Sequence, residues 1–481
     1  MRRSAGSGKG WPAPVGTYPP PVASEPWHRA AHPNIDFQFI RTGMAMCGYR
    51  RRDLLRGGLT AAVVGLGGCQ DAAPPPATAT ATSTATSRPE DTPTATAREQ
   101  ATHATETPGD ILHVDAQRGT PDGPGTETSP FDGIQAALTR AQPGQTVAVA
   151  AGTYRLRSPL TTVRAGTKDG PITLTGPPEA VVRPATDIDR IPSLLRIKHD
   201  HIHLRGLTLT GLGDPTRPET LAQYKVKAVV RVMPPTDTAA YLQDIVVTPA
   251  RVGHSYWGTI NHKRANHVEI GGFEVIGPAG AGYVLTDAPN KHAGELVYLG
   301  TPPGAVLQNV VPAWGLDQSH DIHVHHIDNA AGHPHSELVN TKLGTHDITV
   351  EYCTDGGGSQ NTEPYPPASI HFQGHDATVR WCVLRNGEGH GVHVNAGSAG
   401  ALEQLDDAPL DPETVGTGHR IHGNEIGGFA ADAIAYTDTT ADEQAAVCRN
   451  VIDDGMSEAT PETCPAGIPN GDGIGHRGGT S

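Results

Sequence analysis

The run Glu337, Leu338, Val339, Asn340, Thr341 and Lys342 sets a carboxylate just ahead of an ammonium group, and His371, Gln373, His393 and Asn395 follow at intervals further on. Each of these polar residues lies next to an apolar one. Side chains alternate along a strand. If Leu338, Ile370, Val392 and Ile434 are equivalent inward residues, then Glu337, Thr341, His371, Gln373, His393 and Asn395 face outward as one polar stripe, with Lys342 at its edge. Strands stacked ~4.8 Å apart place His371 beside His393. A rigid row of donors and acceptors suits sugar hydroxyls; the wet side of a soluble fold is the other reading.

The chain holds 25 histidines. His320, His346 and His375 are expected to open strands and to satisfy turn carbonyls with their ring N–H groups. His323, His325, His326, His333 and His335 are dense enough for a transition metal but lack a familiar zinc spacing. Cys448 and Cys464 close a short loop and are expected to be disulfide-bonded. Cys353 and Cys382, at equivalent repeat positions, either stack as thiols or bridge.

Internal repetition supplies the elements that must position these residues. His320-Asp321-Ile322-His323-Val324 recurs as His346-Asp347-Ile348-Thr349-Val350 and as His375-Asp376-Ala377-Thr378-Val379, with weaker copies from Asp200, Asn266 and His419. Each copy has the two-residue period of a half-buried strand. Copies this short cannot bury an apolar face alone and must stack; a propeller blade needs ~40 residues. The expected fold is all-β, a single-stranded right-handed parallel β-helix over 110–481. An N-terminal capping helix is expected from Ile134, Ala137, Leu138 and Ala141, ended by Pro143 and Gly144, with the first strand at Val147 to Ala151.

The chain's net charge is −15, although its first 68 residues hold nine Lys or Arg against three Asp or Glu. So acidic a remainder excludes nucleic acid as a partner, since phosphate binding needs a basic stripe. Arg51 and Arg52, followed by Asp53, Leu54 and Leu55, resemble a twin-arginine export signal within residues 1–68, and the apolar run that follows is too short to span a bilayer. Leu66 to Cys69 resembles a lipobox with Cys69 as the acylated residue. Residues 69–109 read as a disordered Ala/Thr/Pro-rich tether. The expectation is an extracellular, cell-surface monomer that meets the membrane only through its lipid anchor.

Gly125 to Phe131, Ile134 to Ala141, Pro143, Gly144, Gly152, Thr153 and Tyr154, then Gly166, Thr167 and Gly170 to Leu174, resemble the opening of pectate-lyase-like β-helix proteins. Chondroitinase-B-like and alginate-lyase-like polysaccharide lyases share it. The resemblance implies β-elimination on an acidic (uronate) polysaccharide, with Ca²⁺ on Asp and Glu stabilising the enediolate and a Lys or Arg base. Because its segment resembles the one carrying the lyase lysine, Lys342 is the implied base, with Arg380, and also Arg385, as carboxylate partners. Tyr436, Thr437 and Asp438 stand where many relatives have an acidic, lysine-containing turn, a departure that leaves a second class of function open: a non-catalytic surface protein that binds glycan or envelope components.

Overall fold

The computed structural model describes residues 111–286, 293–302, 304–305, 314–360, 368–405, 409–453, 460–461 and 463–468. Arg51, Arg52, Cys69 and the tether lie outside the described residues.

Along the chain, alternating apolar residues form short strands that pair only in parallel with the coils before and after. Among the described residues the strands form a nineteen-stranded sheet and a nine-stranded sheet. Most coils contribute two strands to the long sheet, either side of a bend, and one to the short sheet. Ile202, Ile245, Val268, Ile322 and Ile348 align on neighbouring strands and are all but fully buried. Such columns of β-branched residues form one core along the whole stack. The fold is therefore an all-β parallel β-helix.

The repeat visible in the sequence corresponds to a turn as much as to a strand. His201, Asp244, His267, Asp321, Asp347 and Asp376 precede the aligned apolar residues, and all have φ between 51° and 55°. The left-handed conformation is costly for most side chains but tolerable for Asp, whose short polar side chain bonds locally. Nδ1 of His320, His346 and His375 lies 2.8 Å from Oδ2 of the next residue, Asp321, Asp347 and Asp376. These histidines thus bond turn carboxylates rather than turn carbonyls. Their rings stack from coil to coil, 5.0 Å apart.

At the N-terminal end, the helix Ile134–Arg140 and the following Ala141 lay Ile134, Ala137, Leu138 and Ala141 onto the core, each no more than 4% exposed. The strand Thr146–Val149 is the second, not the first: Ile111–Val114 precedes the helix and pairs with it, Leu112 opposite Val147. Cys448 and Cys464 are disulfide-bonded, Cα atoms 5.4 Å apart. Cys353 and Cys382 are buried free thiols on adjacent coils.

Candidate active site

The nine-stranded sheet carries the candidate site on its outer face. Its inward row runs Leu195, Val230, Ile260, Val297, Val339, Ile370, Val392 and Ile434. One residue on, the outward row runs Arg196, Arg231, Asn261, Tyr298, Asn340, His371, His393 and Ala435. His371 and His393 are thus direct neighbours, with rings stacked 4.9 Å apart and tilted by 18°. Nε2 of His371 meets the Asn395 side-chain amide at 3.3 Å, and Nε2 of His393 meets the Thr437 hydroxyl at 2.9 Å.

The register expected at Leu338 is off by one. Val339, not Leu338, pairs with Ile370. The reason is a break in alternation: Leu296 and Val297, like Leu338 and Val339, are consecutive residues that are both buried in the core. Thr341 accordingly lies level with Leu299 and is 1% exposed, turned inward rather than into the stripe. Asn340 takes its place outside, and its Oδ1 is buried with no hydrogen-bond partner among the described residues.

Around Asn340 the structure gathers two carboxylates, two ammonium groups and a phenol. Glu295 and Glu337 occupy equivalent positions two residues before adjacent strands, Val297–Leu299 and Val339–Thr341, and are 7% and 3% exposed. Burial, reinforced by the charge of Glu337, pushes the Glu295 carboxyl up to about 7. Burial also works against ionised Glu337, but His371, with Nδ1 3.7 Å from Oε1, together with Lys342 and the Ser336 hydroxyl outweighs it and leaves that carboxyl below its ordinary value. Two neighbouring acids with oppositely displaced pKa values are the arrangement from which acid and base roles are assigned.

The ammonium groups flank one ring. Nζ of Lys342 lies 4.7 Å and Nζ of Lys263 5.4 Å from the centre of Tyr298. Burial pulls Lys263 down to about 8, opposed by Asp317 and aided by Arg231 and Lys342. Burial also lowers Lys342, while Glu295 and Glu337 partly restore it. The Tyr298 hydroxyl is held protonated, first by burial and then by the nearby carboxylates.

Of the residues singled out in the sequence, Glu337, Lys342, His371, His393 and Asn395 meet on this face, and Gln373 follows its strand, bonding through its backbone N–H to the Thr341 hydroxyl at 3.1 Å. Arg380 does not join them. It ends a strand of the long sheet, where Nη2 sits 2.6 Å from Glu351 Oε2. Arg385 is likewise on the long sheet, paired with Glu425 and Asp453. Glu295, Tyr298 and Lys263 were not anticipated. For the first two a signal existed: Glu295-Leu296-Val297 repeats Glu337-Leu338-Val339. Among the described residues, no group of three or more His, Cys, Asp or Glu is placed to hold a metal. Of the histidines after His320, His323 pairs with Glu351, His325 with Glu269 and His335 with Asp355, each a single carboxylate, and His326 bonds His325.

Residues 112–243 match the family described as "Pel9A-like, right handed beta helix region". No curated protein matches the sequence. Solved structures similar to this chain include an alginate lyase from Paenibacillus sp. str. FPU-7, at 16% identity over 67% of this chain and 93% of that one, TM-score 0.43. A rhamnogalacturonan lyase is 11% identical over 74% and 90%, TM-score 0.42. The GH136 lacto-N-biosidase from Eubacterium ramulus is 12% identical over 71% and 67%, TM-score 0.42.

Proposed function

We propose that this protein is a polysaccharide lyase that cleaves a uronate polymer by β-elimination, held at the cell surface by a lipid on Cys69 after export through the Arg51–Arg52 signal. The observation that carries the reading is Lys342: a half-buried lysine with a lowered pKa, just past the end of a strand of the nine-stranded sheet, beside two carboxylates and a protonated tyrosine. Burial raises the neutral fraction of Lys342, and neutral Lys342 takes the proton α to the uronate carboxylate. A double bond forms as the glycosidic oxygen leaves, and the Tyr298 hydroxyl supplies that oxygen with its proton. Lys263, across the ring, balances the charge.

Ca²⁺ is the cofactor that the sequence resemblance implies. Glu295, Glu337 and the unpartnered Oδ1 of Asn340 are hard oxygen donors, the set that suits it. When bound, the ion would draw charge from the substrate carboxylate and so acidify the α-proton. The residues around it bind and orient: the Ser336 hydroxyl donates to Glu337 Oε2 at 2.7 Å, His371 Nδ1 stands 3.7 Å from Glu337 Oε1, and Asn395 holds the other ring nitrogen of His371.

The opposite displacements of Glu295 and Glu337 favour a second reading, hydrolysis by an acid and base pair. One experiment decides. The protein is incubated with polygalacturonate, alginate and chondroitin, with and without Ca²⁺, while unsaturated uronate absorbance and reducing ends are followed. New reducing ends accompanied by unsaturation support elimination; reducing ends without it support hydrolysis. Binding without either leaves the non-catalytic glycan-binding function.

A further inference from the structure

North of the reacting cluster, toward the N-terminal coils, the same outward row turns cationic. Arg196 and Arg231 face each other directly across adjacent strands. Like charges in that position repel, and the repulsion is felt: burial and then Arg196 both lower the Arg231 guanidinium. Neither side chain has an ion pair among the described residues, and Nε of Arg231 is buried without a hydrogen-bond partner there. A buried donor left unmatched is costly, and a chain of net charge −15 has carboxylates to spare. Beside the pair stands Trp257, 37% exposed, with the Arg231 guanidinium carbon 5.8 Å from its ring centre. An exposed indole next to two unmatched guanidinium groups offers both a face for a sugar ring and a fork for its carboxylate.

We propose that Arg196, Arg231 and Trp257 form a distal subsite that binds the carboxylate of a uronate residue remote from the scissile bond. The proposal rests on the reading of this face as glycan-binding and adds a direction to it. The strand of Arg231 lies three strand spacings, roughly 14 Å, from that of Lys342, with Asn261 and Tyr298 between. On the other side of Lys342 the equivalent positions are His371, His393 and Ala435, without Lys or Arg. The acidic chain therefore runs along the helix axis with its anchored part toward the N-terminal coils, and only an oligomer long enough to span the gap gains from both sites.

The test uses the intact protein with oligogalacturonate and oligoalginate dimers and hexamers, followed by calorimetry and tryptophan fluorescence. R196Q/R231Q is expected to weaken hexamer binding at least about tenfold, the effect of losing a charge-assisted pair of bonds, and to leave dimer binding within twofold. R196K/R231K should recover part of the loss, and Trp257→Ala should weaken the hexamer alone. Melting temperature separates function from structure: relieving the repulsion should leave R196Q/R231Q at least as stable as the parent. Unchanged hexamer affinity, an equal loss for dimer and hexamer, a lower melting temperature, or no binding of either oligomer by the parent overturns the subsite. A length-dependent loss in a protein that forms no unsaturated product keeps the subsite and removes the lyase reading. Unsaturated product with unchanged affinity in the double variant does the reverse.

Discussion

The outer faces of the two sheets each bring carboxylates and cations together, and they do so to different ends. On the long sheet Glu351 accepts from Arg380 at 2.6 Å and contacts His323 Nε2 at 2.9 Å. Burial alone would raise that carboxyl, but these partners outweigh it and hold it at about 2. On the nine-stranded sheet burial, and then the charge of Glu337 nearby, push Glu295 up to about 7, while the cations gather around Tyr298. Matched charges hold coils together, whereas neighbouring like charges and unmatched donors cost stability, and the proposed function assigns that cost to ligand binding.

The sharpest way to break this comparison is to exchange the fates of Lys342 and Arg380. Lys342→Ala is expected to lower unsaturated-product formation by about a hundredfold or more, the scale of a lost general base, without lowering the melting temperature. Arg380→Ala should keep the parent's initial rate within twofold. Equal losses in the two variants would mean that the faces are not functionally distinct. Next in size is the shared core: Ile348, 1% exposed and aligned with Ile322, should cost several kcal/mol when replaced by Asp, a buried unpaired charge. Denaturant unfolding checks it, and a parent-like midpoint would contradict the inward register.

These residues also show what the sequence could disclose. His371 and His393 were legible because alternation is intact on either side of them, so apolar Ile370 and Val392 fix the register. The same logic failed at Leu338, where two consecutive residues enter the core and shift everything after them by one. Arg380 was misplaced for a different reason: a coil places strands on different faces, and distance along the chain does not say which. Lys263 carried no signal. It reaches the cluster from the end of Gly258–His262, two strands from that of Lys342, and no motif links them.

A third prediction concerns the stabilising face alone. Because Glu351 has a folded pKa of about 2 against an ordinary 4.5, its contribution is fully present above about 4.5 and is lost as pH falls toward 2. Arg380→Ala should cost about 1–3 kcal/mol near neutrality and flatten this acid limb, since less remains to be lost. Unfolding free energies at several pH values between 5 and 2 measure it. An Arg380→Ala limb as steep as the parent's would show that Arg380 contributes little to depressing the Glu351 pKa.

The smallest expected effect separates conformation from contact in the turns that join the coils. Asp347 has φ of 51°, and its Oδ2 lies 2.8 Å from Nδ1 of His346. Both Asp347→Ala and Asp347→Gly remove that contact, but only glycine enters the left-handed region without penalty, so Asp347→Ala should be less stable than Asp347→Gly by about 1 kcal/mol. The chain already contains the glycine version: Gly418, at φ of 73°, holds the equivalent position two coils on, by the register of Thr349 with Thr378 and of Thr378 with Arg420. If the two variants melt together, the His-Asp repeat is there for its ring-to-carboxylate contact. If glycine is the better tolerated, the repeat marks where the backbone must turn left-handed, and the stacked histidines follow from that turn because each coil sets its ring above the last.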